Sequence, residues 1–252
     1  MLEIRNVTKR FGSLIAVRNI SMSVKAGELR AIIGPNGAGK TTFFNMISGY
    51  FAPTEGTIAF DGQDVTQVPA HIRVALGMGR TFQITEIFPE LTVHENVLTA
   101  AEVSAGQTLH MLPTRADAKR AEDVAAEMLA LVGLTNKADR LVGELAHGDQ
   151  RVTEIAMSLA QRPRLLLLDE PTAGMGDQET YDITALIRRL HRESKFTIVL
   201  IEHDMRVVFH LADHITVLDQ GNLLAEGTPR DIAASEAVQA AYLGGLKGKR
   251  SI

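Results

Sequence analysis

At 252 residues the chain is long enough for one large domain, or one domain with an insertion, to bury a core without disulfide or metal staples. A composition of 45% hydrophobic and 22% charged residues, with 21 Gly and 8 Pro, is that of an ordinary globular protein and excludes collagen-like, coiled-coil and disordered chains. The formal net charge of −4 speaks against a dedicated nucleic-acid binder, and zero Cys excludes a disulfide framework or a thiolate zinc site.

The start, Met1-Leu2-Glu3-Ile4-Arg5, has no basic flank followed by an apolar stretch, so no export signal is expected. Residues 2 to about 33 then read as strands. Ile20, Met22 and Val24 alternate with Ser21, Ser23 and Lys25, the period of a half-buried strand, and Leu29 to Ile33 is continuously apolar, as a fully covered strand would be. After a glycine-rich turn, Phe43, Phe44 and Ile47 mark a helix that Gly49 stops. Asp61-Gly62 after Thr57 to Phe60 predicts a hairpin.

From about 85 to 160 the pattern becomes helical. Thr92 and Glu95 form a capping box ahead of Asn96-Val97-Leu98, and the amphipathic run Arg115 to Val132 ends at Gly133. Val152, Ile155, Ala156 and Leu159 give a further apolar face. Beyond 164 strands and helices alternate. Leu165 to Leu168 precedes a helix with Ile183, Leu186, Ile187 and Leu190; Phe196 to Ile201 precedes one with Met205, Val208, Phe209 and Ala212, and a hairpin follows at Asp219 to Asn222. Such alternation predicts an α/β fold with a largely parallel sheet, and the helical segment interrupting it reads as an inserted lobe. The greasiest runs, Leu165 to Leu168 and Thr197 to Ile201, have strand length, far short of the ~20 apolar residues of a membrane helix. Any work at a membrane would go through a partner.

The strongest chemical signal is Gly34-Pro35-Asn36-Gly37-Ala38-Gly39-Lys40-Thr41, a complete G-x-x-x-x-G-K-[ST] between a strand and a helix. Its glycines let backbone N–H groups turn inward around phosphate oxygens, in conformations that a side chain would block. The helix start adds partial positive charge, Lys40 a mobile cation for the outer phosphates, Thr41 a hydroxyl for Mg²⁺, and Thr42 a bond to an inner phosphate. Leu165 to Leu168 leads straight into Asp169-Glu170, delivering two acids to the carboxyl edge of the sheet. Asp169 would hold Mg²⁺ through its water shell and Glu170 would orient and deprotonate the attacking water.

In this order the motifs resemble the nucleotide-binding subunit of an ATP-binding cassette (ABC) transporter. They are Phe11, the cradle at 34–41, Gln83 in Arg80-Thr81-Phe82-Gln83, Leu145-Ala146-His147-Gly148-Asp149-Gln150, Asp169-Glu170 and His203. The resemblance spans essentially the whole chain. It implies a P-loop NTPase core with a mostly parallel sheet (1–84 and 161–243), an antiparallel β subdomain, a helical signature subdomain (85–160) and a flexible tail (244–252). It further implies that Phe11 stacks on adenine, that Gln83 touches Mg²⁺ and the attacking water, and that His203 contacts the γ-phosphate. The signature (Ala146, His147, Gly148, Asp149, Gln150) would bind ATP held by the opposite subunit.

Two positions depart from the family pattern. Ala146 stands where the signature usually has serine, so one hydroxyl bond to phosphate is missing, and Gly176 stands where an aspartate is usual, with Asp177 one place later. A weakened rather than a dead enzyme is expected. Glu202-His203-Asp204-Met205, Ala173-Gly174-Met175, the His-Gly-Asp-Gln signature and the ending Ala240-Ala241-Tyr242-Leu243-Gly244 resemble the ATPases of importers for branched-chain amino acids and small amides such as urea. The ATPases of lipopolysaccharide export share the ending and the length, and soluble non-transport cassettes share the core motifs. The resemblance implies ATP and Mg²⁺ as ligands and a head-to-tail pair with a second copy or a paralogue. It also implies membrane permease subunits, a substrate-binding protein outside the membrane, no nucleic-acid partner, and a peripheral place on the cytoplasmic face of the inner membrane. Ile84 to Val93 is the stretch expected to meet the permease.

Overall fold

Period-two burial organises the beginning of the chain. In the computed structural model, which describes residues 1–81, 87–104 and 114–247, β1 (Leu2–Phe11) and β2 (Leu14–Val24) pair antiparallel with Ile20, Met22 and Val24 inward. The chain continues through β3 (Leu29–Ile33), α1 (Lys40–Ser48), β4 (Glu55–Phe60), β5 (Gln63–Asp64), α2 (Ala70–Ala75) and β6 (Met78–Arg80). The predicted hairpin at Asp61-Gly62 joins β4 to β5. Next come α3 (Val93–Ser104), α4 (Arg115–Val132), α5 (His147–Ala160), β7 (Leu165–Asp169) and α6 (Asp177–Arg192). The last elements are β8 (Thr197–Ile201), α7 (Met205–Leu211), β9 (His214–Asp219), β10 (Asn222–Gly227), α8 (Pro229–Ala233) and α9 (Glu236–Lys247).

Two units divide these elements. One comprises Met1–Arg73 with Leu190–Ile252. It holds a four-stranded antiparallel sheet in the order β2-β1-β4-β5, and β3 flanked in parallel by β8 and β9, with β10 antiparallel on β9. Every residue of β3 and β8 is buried, the pattern of strands covered on both faces. Arg30 on β3 joins the layers: its guanidinium meets Glu28 at 2.8 Å, donates to the Ser23 carbonyl of β2 at 2.9 Å, and pairs with Glu226 of β10.

A second buried arginine finishes α1. Arg73 is 1% exposed and donates to the Met46 carbonyl at 2.8 Å and the Ile47 carbonyl at 2.6 Å, both in the last turn of the helix, where carbonyls lack the amides of a following turn. It also donates to the carbonyls of Val65, Thr66 and Val68. Burial brings its pKa down to about 10, so it remains a cation at neutral pH.

The other unit is Val74–Arg189. Its β6 and β7 pair in parallel, and α3, α4 and α5 pack on one another. The predicted capping box is present, with the Thr92 amide donating to Glu95 at 2.8 Å and the Glu95 amide donating to the Thr92 hydroxyl at 3.1 Å. Gly133 ends α4 with φ 82°, its amide bonded back to Leu129 and Ala130. No helix among the described residues is long and apolar enough to cross a membrane.

Candidate functional site

The loop between β3 and α1 is shaped by three glycines at positive φ: Gly34 (154°), Gly37 (81°) and Gly39 (95°). Two of them are also pressed against backbone. A Cβ on Gly34 would lie 2.2 Å from the Leu218 carbonyl oxygen, and one on Gly39 would lie 2.5 Å from that of Ala16. Gly37 has open space around it. The loop is closed by the Ala38 amide on the Pro35 carbonyl (3.1 Å) and the Gly221 amide on the Ala38 carbonyl (3.1 Å). Asn36 and Gly37 are exposed, Pro35 is half-buried and Ala38 is buried, so the loop's rim faces outward.

Gly39 is the N-cap of α1 and supplies no side-chain cap, which leaves the amides of the first helical turn without intrahelical acceptors. These amides and the helix dipole make a site for an anion. Lys40, buried to 8% exposure, lies along the loop and donates to the carbonyls of Gly34 (2.8 Å) and Pro35 (3.2 Å). Thr41 is exposed and Thr42 half-buried at the same helix start. Backbone that at Gly34 and Gly39 leaves no room for a Cβ, a lysine bent over it and the hydroxyls of Thr41 and Thr42 form a donor set that suits a polyphosphate with Mg²⁺.

His203 belongs to the same unit. Parallel pairing sets Ile32 opposite Ile201, so the loop at Gly34 and the segment at His203 leave the sheet from the same edge. Glu202, fully buried, accepts from the amides of His203 (2.9 Å) and Asp204 (3.3 Å) and holds this turn, while the His203 side chain is exposed. Phe11 ends β1 and is 47% exposed, so it is no core residue. Its strand partner is Leu14, two residues before the Ala16 carbonyl that abuts Gly39.

In the other unit β7 carries Asp169 and Glu170 to its carboxyl end. Asp169 is 1% exposed; burial pushes its carboxyl above the ordinary range, and the Arg80 guanidinium, 3.2 Å away, pulls it back. Glu170 sits at φ 47°, a conformation rare for a non-glycine residue. The signature begins at Ala146, which is exposed, forms the N-cap of α5 and makes no side-chain cap. His147 is exposed, and Gly148, Asp149 and Gln150 are half-buried. Asp149 pairs with Lys137, and the Gln150 side-chain NH2 donates to the carbonyls of Leu145 (3.1 Å) and Val142 (3.2 Å). Gln83 lies outside the described residues, as do Ile84 to Glu86 of the expected permease contact and residues 248–252 of the tail.

Three residues that the sequence did not single out join these motifs. Arg151 on α5, 6% exposed, donates to the carbonyls of Asp169 (3.0 Å), Glu170 (2.9 Å) and Pro171 (3.4 Å) and pairs with Glu154, fixing the signature helix to the acidic turn. Glu179 accepts from the Gly148 amide at 3.1 Å and the Gly176 amide at 3.3 Å. A carboxylate therefore rests on the Gly148 amide of the signature. Arg80 is the third, through its pair with Asp169. The only sequence signal for Arg151 is the i,i+3 spacing to Glu154 on the apolar side of α5.

Comparison with known proteins bears on this arrangement. The ABC transporter family matches residues 17–173, and the branched-chain amino acid ATP-binding cassette transporter family matches residues 222–246. The chain is 43% identical over 249 residues to the high-affinity branched-chain amino acid transport ATP-binding protein BraF of Pseudomonas aeruginosa, covering 97% of this chain and 98% of BraF. A solved structure similar to it is the ADP conformation of MJ1267, an ATP-binding cassette of an ABC transporter. The TM-score is 0.85 at 30% identity, with 97% of this chain and 98% of that chain covered. The dimeric post-hydrolysis state of the cassette MJ0796, bound to ADP and Pi, aligns with a TM-score of 0.75 at 29% identity over 91% of this chain and 99% of that one.

Proposed function

This chain belongs to the ABC transporter family as one of its ATP-hydrolysing subunits, and we propose that it energises uptake of branched-chain amino acids. The observation that carries the choice of cargo is the match of residues 222–246, spanning β10, α8 and most of α9, to the branched-chain amino acid cassettes. That match favours uptake over the lipopolysaccharide-export and soluble readings.

In this reading the amides of the 34–39 loop and the start of α1 bind the phosphates, and Lys40 turns from the carbonyls of Gly34 and Pro35 to the outer ones. Thr41 and Asp169, with Gln83, would hold Mg²⁺, whose charge offsets that of the phosphates. Glu170 orients water and takes its proton, and the exposed His203 meets the γ-phosphate. Phe11 stacks on the base. The Gly148 amide, with Ala146, His147, Asp149 and Gln150 around it, caps the triphosphate of a second subunit, so two chains close head-to-tail on two ATP molecules. Closure excludes water and strengthens each charge contact. The pair would sit peripherally on the cytoplasmic face of the membrane, against permease subunits that receive cargo from a substrate-binding protein.

The test is uptake of radiolabelled leucine by native cells in which the chain is replaced by Glu170→Gln, with urea uptake in parallel. Leucine uptake should fall by at least ~10²-fold and urea uptake should persist. Unchanged leucine uptake would overturn the assignment.

A further inference from the structure

The aromatic at the end of β1 does not stand alone. Gly49 ends α1 with φ 80°, and the Tyr50 amide bonds back to the Asn45 carbonyl at 2.9 Å, which turns the chain and brings Phe51 to Phe11. The two rings meet edge-on, with centroids 5.5 Å apart and planes at 90°. Lys9, on the same strand as Phe11, places its ammonium 4.6 Å from the Phe51 centroid and 5.4 Å from the Phe11 centroid, within the ~6 Å range of cation–π attraction. The same ammonium donates to the Ala52 carbonyl at 2.6 Å. Helix α1 thus has the phosphate cradle at its start and this cluster at its end.

We infer that Lys9 and Phe51 are positioning residues for nucleotide binding, holding Phe11 as a rigid platform for a purine base; the inference rests on the assignment of Phe11 to the base. Two physical effects support it. A phenyl ring at a hairpin end, 47% exposed, would otherwise sample several rotamers and lose entropy on stacking, whereas Phe51 and the Lys9 ammonium fix it beforehand. In addition, π-faces repel one another because each is negative. A cation beside the ring withdraws that charge and favours stacking of an electron-rich purine on the open surface. The Lys9 bond to Ala52 O anchors the ammonium to the segment that follows α1, so the platform is registered against the helix that binds the phosphates.

The experiment compares, on the full chain with Mg²⁺, the affinities for ATP and for inorganic tripolyphosphate, which has phosphates but no base. Phe11→Ala measures the base share. Lys9→Met should weaken ATP about two- to fivefold and leave tripolyphosphate unchanged, Lys9→Arg should restore ATP binding, and Phe51→Leu should act as Lys9→Met does. If Phe11→Ala lowers the ratio of the two affinities and both Lys9→Met and Phe51→Leu leave it intact, the positioning role falls while the platform stands. Equal loss for both ligands in Lys9→Met would likewise overturn it, by reducing Lys9 to a fold residue. If Phe11→Ala does not move the ratio, the platform assignment itself fails and the inference goes with it. Should Lys9→Met fail to fold, Phe51→Leu decides the same question.

Discussion

Replacing the cradle glycines one at a time with alanine separates two costs that the loop imposes. At Gly37 an alanine meets nothing within 4 Å, so it carries only the strain of a left-handed backbone at φ 81°, about 1–2 kcal/mol. At Gly39 the strain at φ 95° is joined by a collision, because the new Cβ would lie 2.5 Å from the Ala16 carbonyl oxygen. An ordinary C···O approach is roughly 3.3 Å, so the helix start or β2 must retreat by roughly 0.8 Å. Ala16 belongs to a strand paired with β1, and overpacking against such backbone costs typically 1–3 kcal/mol more. Gly39→Ala should therefore lose about 2–5 kcal/mol in all, against about 1–2 kcal/mol for Gly37→Ala. Gly34→Ala, whose Cβ would sit 2.2 Å from Leu218 O, should be at least as harmful as Gly39→Ala. The chain has no Trp, so urea unfolding is best followed by far-UV circular dichroism. Each kcal/mol corresponds to about 2–4 °C of Tm at this chain length. Equal destabilisation by Gly37→Ala and Gly39→Ala would show that close approach of β2 does not shape the loop.

Ala146→Ser supplies a side-chain cap to α5 and should raise stability by about 0.5–2 kcal/mol while ATP turnover is preserved or raised; a melt and a phosphate-release assay check both. Arg73→Met removes a donor from five carbonyls, of which those of Met46 and Val65 keep a backbone amide, and should cost at least about 3 kcal/mol, read as a lower urea midpoint. In acid, the carboxyls of Asp64, Glu95 and Asp231, hydrogen-bonded by Thr66, Thr92 and Thr228, and that of Asp204, bonded by Arg206, have their pKa values lowered in the folded state. Their contribution is complete above the ordinary carboxylate range and disappears as pH falls through the lowered values. Denaturation midpoints between pH 6 and pH 3 should fall accordingly, about as far as depressed carboxylates allow, and Asp231→Asn should flatten the profile.

The cradle was legible because glycine spacing encodes backbone conformation directly: the two glycines that the motif fixes, 34 and 39, both take positive φ. The continuously apolar β3, β7 and β8 and the capping box at Thr92 were legible for the same reason, since each is a local demand on local residues. Arg73, Arg151 and Glu179 were not. A lone arginine in the polar stretch around α2 reads as a surface charge, yet Arg73 is buried because it closes the end of a helix 26 residues earlier in the chain. Arg151 answers to carbonyls 18 to 20 residues away and Glu179 to an amide 31 residues away. No periodicity records such partners. They follow only from which backbone groups the fold leaves open.

The grip of one guanidinium on three successive carbonyls has a mechanical consequence. The first turn of α5 and the turn that carries Asp169 and Glu170 are clamped by Arg151, so neither can tilt without dragging the other. In the head-to-tail pair proposed above, a pull exerted on a protomer's signature by a neighbour's nucleotide would be relayed to that protomer's own pair of acids. Cleavage in one compartment of that pair would then act as a lever on readiness in the other, with a single side chain as its fulcrum.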